Sequence, residues 1–474
     1  MSRETHYREK ALESLLSQPK VGFSLDELDG LTDFLRSKGC ALLIKGYAGA
    51  GKTTLAAELL YHFGKNGKGA YVSSRVSETK IQTQLPLFKE IKRNQDFADV
   101  RLGNASTIIE EVLEYLAQKN TSLIVLDTWD GLAKEMDERE RLKAEKTLIA
   151  LADGSDSRIV FVSEEPGKTT MDYLVDGIVE LVRSEEYGRI FRELEIQKLR
   201  GTSVRQHKYL YTLAGGRFSH IPPYAEPDLS RARKFDPVPD LDGSRRYSFG
   251  SKTLDSIFGG LRKGGTFTLQ YTKEVRYSAI RMIHLPPIIN FLNMGRSVLL
   301  IPLLGASVEE ITSLIRPLVS EEAFRERFRI ATMETKQGEV IHPPLFAIGH
   351  GPVSEEHAKV TRIVEELKSK SVDRNVLVVD CLSFLENLFA SDMEGLVETM
   401  ADRVIKSQRF GDSALLILQS DSAISSRILS MSESYASMFV RDNAVVLFGE
   451  KPNTEAYAIY HDENPLLPNL VQIV

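Results

Sequence analysis

Apolar positions along this chain recur with two different periods. Continuous apolar runs of strand length, Ala41-Leu42-Leu43-Ile44, Leu123-Ile124-Val125-Leu126 and Ile159-Val160-Phe161-Val162, predict strands buried on both faces. Helix-period stretches lie between them. Leu28, Leu31, Phe34 and Leu35 form one, Leu55 to Leu60 another, and Ile108, Ile109, Val112, Leu113 and Leu116 a third, with a fourth near 138–152. Residues 7–18 predict a further short helix, and Ser24-Leu25-Asp26-Glu27 has the form of a capping box. From Asp176 onwards the pattern changes to consecutive strands, at 176–181, about 190–199 and 209–213. Alternation that gives way to consecutive strands predicts an α/β fold, with a mostly parallel sheet and an antiparallel extension.

One polar interruption carries chemistry. Gly46-Tyr47-Ala48-Gly49-Ala50-Gly51-Lys52-Thr53 joins the first strand to the helix pattern that begins at Thr54. This is a P-loop in its required context, strand before and helix after. Glycines permit backbone angles that turn successive N–H groups inward, and the N-terminus of the helix adds to the same positive field. The phosphates of a nucleoside triphosphate are thus expected on Gly46, Ala48, Gly49, Ala50, Gly51, Lys52, Thr53 and Thr54. Lys52 would reach the β- and γ-phosphates, and the Thr53 hydroxyl would ligate Mg²⁺. Asp127 ends a buried-type strand, where open α/β sheets bind ligands, and is the second expected metal-directed group. Trp129 is expected to pack near the rim of that crevice.

The second half echoes the first. Thr253-Leu254-Asp255-Ser256-Ile257-Phe258 repeats the helix before the P-loop, and strand 266–270 repeats the strand. With Tyr271 in the place of Gly46, Arg276 replaces Gly51 and Tyr277 replaces Lys52, while Ser278 is retained. Val376-Leu377-Val378-Val379-Asp380 mirrors the aspartate strand, and strands at 443–448 and 455–460 close the repeat. Pro286-Pro287 is expected to interrupt the helix after the degenerate loop. The expected organisation is therefore 1–220 with an intact site, a linker over 221–247 and a degenerate domain over 248–474. The linker carries Arg231, Arg233, Lys234, Arg245 and Arg246 and reads as a solvated connector, with a nucleic-acid contact as the alternative.

Composition narrows the partners. The 474 residues carry a formal net charge of -6, which supplies no global basic field for nucleic acid. Cys40 and Cys381 stand far apart without metal-ligand spacing, as in a reducing compartment. The polar start has no signal-peptide core, and no run approaches the roughly 18 apolar residues of a membrane span. A cytoplasmic protein without a membrane anchor is expected.

The order of P-loop, aspartate strand, Asp176-Gly177-Ile178-Val179-Glu180-Leu181 and then Glu195-Ile196-Gln197-Lys198-Leu199-Arg200-Gly201-Thr202 resembles the RecA/RadA superfamily in its KaiC-like branch. Within that branch it looks most like the archaeal gas-vesicle regulatory protein D (GvpD) P-loop group. The resemblance covers residues 20–220 well and the remainder more weakly. It implies tandem RecA-like P-loop NTPase domains, ATP and Mg²⁺ as ligands, and a homo-oligomer with nucleotide at its subunit interfaces. Carried over, Lys198 and Arg200 would be catalytic cations acting in trans on the γ-phosphate, beside Lys52 and Asp127. Residues two apart on a strand share a face, which suits the pair. A regulatory protein partner, such as a transcriptional regulator, is also implied.

One departure matters. KaiC-like ATPases carry adjacent glutamates after the second strand, where one activates the attacking water; here the chain reads Ser74-Arg75-Val76-Ser77. Glu78 is displaced in register, and Glu164 or Glu165 could substitute only from another strand end. ATP binding with weak or conditional hydrolysis is the expectation. The alternative is a DNA-dependent, RadA-like ATPase of recombination or repair, whose turnover would rise with single-stranded DNA.

Overall fold

The computed structural model describes residues 28, 30–64, 68–91, 95–99, 105–119, 121–134, 136–165, 167–228, 234–241, 243, 245–333, 344–349, 351–461 and 465–474. The helix expected over 7–18, the capping box at 24–27, Arg231 and Arg233 lie outside them. Contacts divide the described residues into two compact units. The first holds those within Gln18–Pro223, with Asp442–Ala444 and Gln472–Val474; the second holds Tyr224–Arg441 and Val445–Val471.

In the first unit the strands are β1 (Ala41–Gly46), β2 (Lys68–Ser73), β3 (Gln95–Asp99), β4 (Thr121–Asp127), β5 (Arg158–Ser163), β6 (Gly177–Glu186), β7 (Arg189–Leu199), β8 (Lys208–Thr212) and β9 (Ser219–His220). They form one sheet in the order β3-β2-β4-β5-β1-β6-β7-β8-β9. Pairing is parallel from β3 to β6 and antiparallel from β6 to β9. β1 shows why a continuous apolar run belongs here. Leu42 and Ile44 face one core and Ala41 and Leu43 the other, so both faces of the strand are covered. The order also places β5 between the P-loop strand and the aspartate strand, which opens the crevice between the ends of β1 and β4.

The second unit has a two-stranded ribbon of β10 (Arg246–Tyr247) and β11 (Leu261–Arg262). Its main sheet comprises β12 (Thr266–Tyr271), β13 (Ser297–Ile301), β14 (Phe328–Met333), β15 (Leu345–Ile348), β16 (Val376–Cys381), β17 (Ser413–Gln419), β18 (Ser434–Arg441), β19 (Ala444–Lys451), β20 (Asn453–Tyr460) and β21 (Asn469–Gln472). The order is β15-β14-β13-β16-β17-β12-β18-β19-β20-β21. Matching β12 to β1, β17 to β5, β16 to β4 and β13 to β2 reproduces the first sheet strand for strand, with β15 added at one edge. Register agrees as well: Asp127 lies opposite Ser73 at the end of β2, and Asp380 lies opposite Ile301 at the end of β13. The chain is a tandem of two RecA-like α/β sheets.

Two expectations change. Helix Tyr277–Asn293 runs unbroken through Pro286 and Pro287. Two backbone donors are lost there, yet every residue from Ser278 to Leu292 is buried, and packing on all sides holds the helix together. Part of the stretch read as a solvated linker is also packed. Phe235 and Tyr247 enter the core of the second unit, and the backbone of Val238 exchanges two hydrogen bonds with the Asn290 side chain. Of the linker's basic residues, Lys234 pairs with Asp236 at 2.7 Å, both exposed. Among the described residues no helix is long and apolar enough to cross a membrane.

Candidate functional site

The P-loop turns from β1 into helix Lys52–Gly64 through glycines at φ 146° (Gly46), 77° (Gly49) and 93° (Gly51). A side chain at Gly46 would meet the Leu181 carbonyl, and one at Gly51 would meet Leu213 at 2.9 Å. Only glycine satisfies both the angle and the space at these two positions. Ala48 and Gly49 are exposed, while Ala50 and Thr54 are buried beneath them. The antiparallel extension grips the outside of the loop. Arg192 of β7 donates to the Gly49 carbonyl at 2.9 Å, and the buried Tyr211 hydroxyl of β8 donates to the Ala50 carbonyl. Those two carbonyls are thereby held on the outside of the loop, while the Ala50 amide donates to the Tyr47 carbonyl at 3.2 Å.

Lys52 is 5% exposed and donates to the carbonyls of Gly46 (2.7 Å) and Tyr47 (2.9 Å). Burial lowers its pKa, opposed by the nearby charges of Glu164, Asp127 and Asp130. An ammonium held this way gains by exchanging two carbonyls for phosphate oxygens.

Thr53 and Asp127 come together as the spacing implied, with the hydroxyl 3.4 Å from each carboxylate oxygen. Asp127 is 4% exposed, and burial raises its pKa. Its anion is supported by the hydroxyls of Tyr71 and Thr53 and by the charge of Lys52. A hydroxyl and a carboxylate across a cleft suit a hard cation that keeps waters and takes its other oxygens from phosphate. Among the described residues no group of three or more His, Cys, Asp or Glu could hold a metal. The next residue, Thr128, adopts φ 64°, an uncommon angle for a β-branched side chain, and its carbonyl accepts from Ser74 at 2.9 Å.

Tyr71, in the middle of β2, donates to Asp127 at 2.6 Å, and burial keeps its hydroxyl protonated well beyond the usual range. Nothing in the sequence pattern singled it out, since a strand tyrosine is ordinarily packing. Trp129 is fully buried against Phe161, with its indole N–H on Glu145 at 3.1 Å. It is a packing residue, as expected.

The end of β5 supplies the remaining acids. Asp130, buried, accepts from the Ser163 hydroxyl at 2.9 Å and from the amides of Glu164 and Glu165, which fixes the turn after β5. Glu165 is held by both guanidinium nitrogens of Arg141, at 3.2 and 3.1 Å. Glu164 lies 3.0 Å from Arg75 and 3.9 Å from Lys52. Glu78 begins helix Glu78–Gln84 and accepts from Gln82 of that helix at 2.7 Å.

Lys198 and Arg200 lie where β7 pairs with the start of β6, with Leu199 opposite Gly177. Gly177 in turn lies beside Leu42, at the end of the strands opposite the P-loop. Lys198 donates to the carbonyls of Asp172 and Val175, and Arg200 pairs with Asp176 at 3.2 Å. Burial and the neighbouring Arg200 charge lower the Lys198 pKa. The structure does not bring this pair to its own P-loop.

In the second unit Tyr277 begins the helix after β12, as Lys52 begins the helix after β1. The Asp127 counterpart, Asp380, is completely buried and paired with Arg403. Leu299, two residues before Ile301, stands where Tyr71 stands in the first unit. Here the aspartate is paired with a guanidinium, and the loop before Tyr277 has neither the glycines nor the helix-opening lysine of a phosphate cradle.

The fold and this geometry define a P-loop protein of the RecA-like class, with its P-loop in the first of two sheets of matching strand order. Residues 31–197 match the family described as GvpD gas vesicle protein, P-loop domain. Protein GvpD2 of Halobacterium salinarum is 25% identical, over 92% of this chain and 94% of that protein. Protein GvpD1 of the same organism is 26% identical, over 61% of this chain and 59% of that protein. The crystal structure of a KaiC-like protein from Pyrococcus horikoshii aligns with a TM-score of 0.36 and 19% identity, over 39% of this chain and 90% of that one.

Proposed function

We propose that the first unit binds Mg·ATP and hydrolyses it slowly or conditionally, and that its nucleotide state controls assembly or a protein partner. One observation carries this reading. A glycine-shaped loop, Lys52 and the Thr53–Asp127 pair stand together in one unit, while the equivalent place in the second carries Tyr277 and an Asp380–Arg403 pair. When bound, Mg²⁺ would neutralise phosphate charge, and Thr53 and Asp127 would hold it. Lys52 would bind the β- and γ-phosphates, and the loop amides would orient them.

Lys198 and Arg200 sit at the ends of the strands opposite the P-loop, so a part in nucleotide sensing is a part played toward another subunit. There the two would exchange their Asp172, Val175 and Asp176 contacts for a γ-phosphate. The family matched over residues 31–197 is described as a gas vesicle protein; for this chain a regulatory role through a transcriptional regulator protein is the corresponding reading.

The test is mass by light scattering, with and without Mg·ATP, alongside phosphate release, on the wild type, Lys52→Ala and Arg200→Ala. ATP-driven assembly lost in both variants, with little phosphate released, supports a nucleotide-gated regulator. A mass indifferent to ATP removes the trans role of Lys198 and Arg200. Fast release stimulated by single-stranded DNA favours the recombination-type ATPase instead.

A further inference from the structure

Three carboxylates of the first unit, Glu164, Asp127 and Asp130, act on Lys52, Glu165 follows on the same turn, and the partners of the four separate them. Asp127 is committed to Tyr71 and Thr53, and Asp130 to the Ser163 hydroxyl and two backbone amides. Glu165 is turned away into a two-point contact with Arg141. Glu164 is different. Its side chain is 37% exposed, it stands 3.9 Å from the Lys52 ammonium, and its hydrogen-bond partner is Arg75 at 3.0 Å, itself 62% exposed. An acid beside the phosphate-binding lysine, open to water on one side and released by moving one surface arginine, meets the geometric needs of a general base.

We propose that Glu164 is the water-activating base of this site and that Arg75 is a cation, supplied by the same chain, that transfers from Glu164 to the γ-phosphate when ATP binds. This rests on the reading of the first unit as an ATP-binding site. A triphosphate brings more negative charge to Lys52 and Arg75 than one carboxylate does, and a guanidinium can grip phosphate at two points. Arg75 therefore moves to the phosphate, and Glu164 is left with free acceptor lone pairs beside it. In the chemical step a water oxygen bonds to the γ-phosphorus while the bond from that phosphorus to the β,γ-bridging oxygen breaks. Glu164 takes the proton lost by the water, ADP leaves with the bridging electron pair, and the proton passes to solvent as phosphate departs. With ADP bound there is no γ-phosphate for Arg75, so it returns to Glu164 and the base is masked again.

The experiment measures ATP affinity, ADP affinity and phosphate release with Mg²⁺ on the wild type, Glu164→Gln, Arg75→Ala and Glu165→Gln. For Glu164→Gln, ATP affinity should stay within about three-fold while release falls by about 100-fold, the usual scale for losing a general base. Arg75→Ala should weaken ATP by about ten-fold, the scale of one charge-assisted contact, and leave ADP unchanged. Glu165→Gln should change neither. Release at the wild-type rate from Glu164→Gln overturns the proposal, as does a wild type that binds ATP and releases no phosphate. If Glu164→Gln loses nucleotide affinity altogether, Arg75→Ala decides, and an unaltered preference for ATP over ADP sinks the idea. Failure of the wild type to bind ATP refutes the underlying reading separately.

Discussion

The Tyr71 hydroxyl reaches across from β2 to donate a 2.6 Å hydrogen bond to the Asp127 carboxylate at the end of β4. Both groups are buried, and a buried carboxylate without donors is costly. Tyr71→Phe removes one donor and leaves the ring in place, so it should destabilise the protein by about 1–3 kcal/mol. Because the lost bond had favoured the anion, the Asp127 pKa should rise further, and the Mg²⁺ concentration needed for nucleotide binding should increase. Urea unfolding and a Mg²⁺ titration of ATP binding measure the two effects; no change in either would leave Tyr71 a packing residue.

Lys52 makes its present contacts with two carbonyls of its own loop. Lys52→Ala should therefore lower ATP affinity by at least about ten-fold, or 1.4 kcal/mol, while the melting temperature without nucleotide changes little. Isothermal titration and a thermal melt on the same preparation separate binding from folding. An equal fall in both would mean that the lysine holds the loop rather than the ligand.

In the second unit the Asp380–Arg403 pair invites a double-mutant cycle. Arg403→Met leaves a completely buried carboxylate without its cation and should cost about 3–5 kcal/mol. Adding Asp380→Asn should recover much of that loss, since the remaining group is neutral. Neither variant should alter ATP affinity. Additive losses in the cycle, or a change in ATP affinity, would contradict the assignment of this site as degenerate.

Burial holds two histidines neutral. His284 in the second unit and His220 in the first are pushed down to about 4 from an ordinary 6.5. The unfolded chain takes up these protons first, so stability should decline as pH falls from about 6.5 towards 4. His284→Leu should flatten that decline relative to the wild type across the same window, read as urea midpoints at each pH. A parallel acid slope in both proteins would place the titration elsewhere.

The parts visible in the sequence were those encoded by neighbours along the chain. The P-loop spacing, the apolar runs of β1, β4 and β5, and the substitution of Tyr277 for Lys52 are all local, and each occupies its expected place in the fold. The partners of the two aspartates were not legible. Tyr71 stands 56 residues from Asp127 and Arg403 stands 23 from Asp380, and only strand order and helix packing bring them into contact. The choice between Glu164 and Glu165 was equally hidden, because it depends on which of them Arg141 captures. Pro286 and Pro287 misled for the opposite reason, since a local helix-breaking preference was overruled by burial on every side.

The Arg403 guanidinium gives the second unit a cation it cannot lose. In the first unit, positive charge at the corresponding aspartate would arrive and depart with metal and nucleotide; in the second it is attached covalently to the chain. That unit's internal charge balance is therefore insensitive to magnesium, to ATP and to the energy state of the cell. On the proposed reading, the charge that changes with nucleotide lies in the first unit, and the Asp380–Arg403 pair of the second is the same whatever the nucleotide supply.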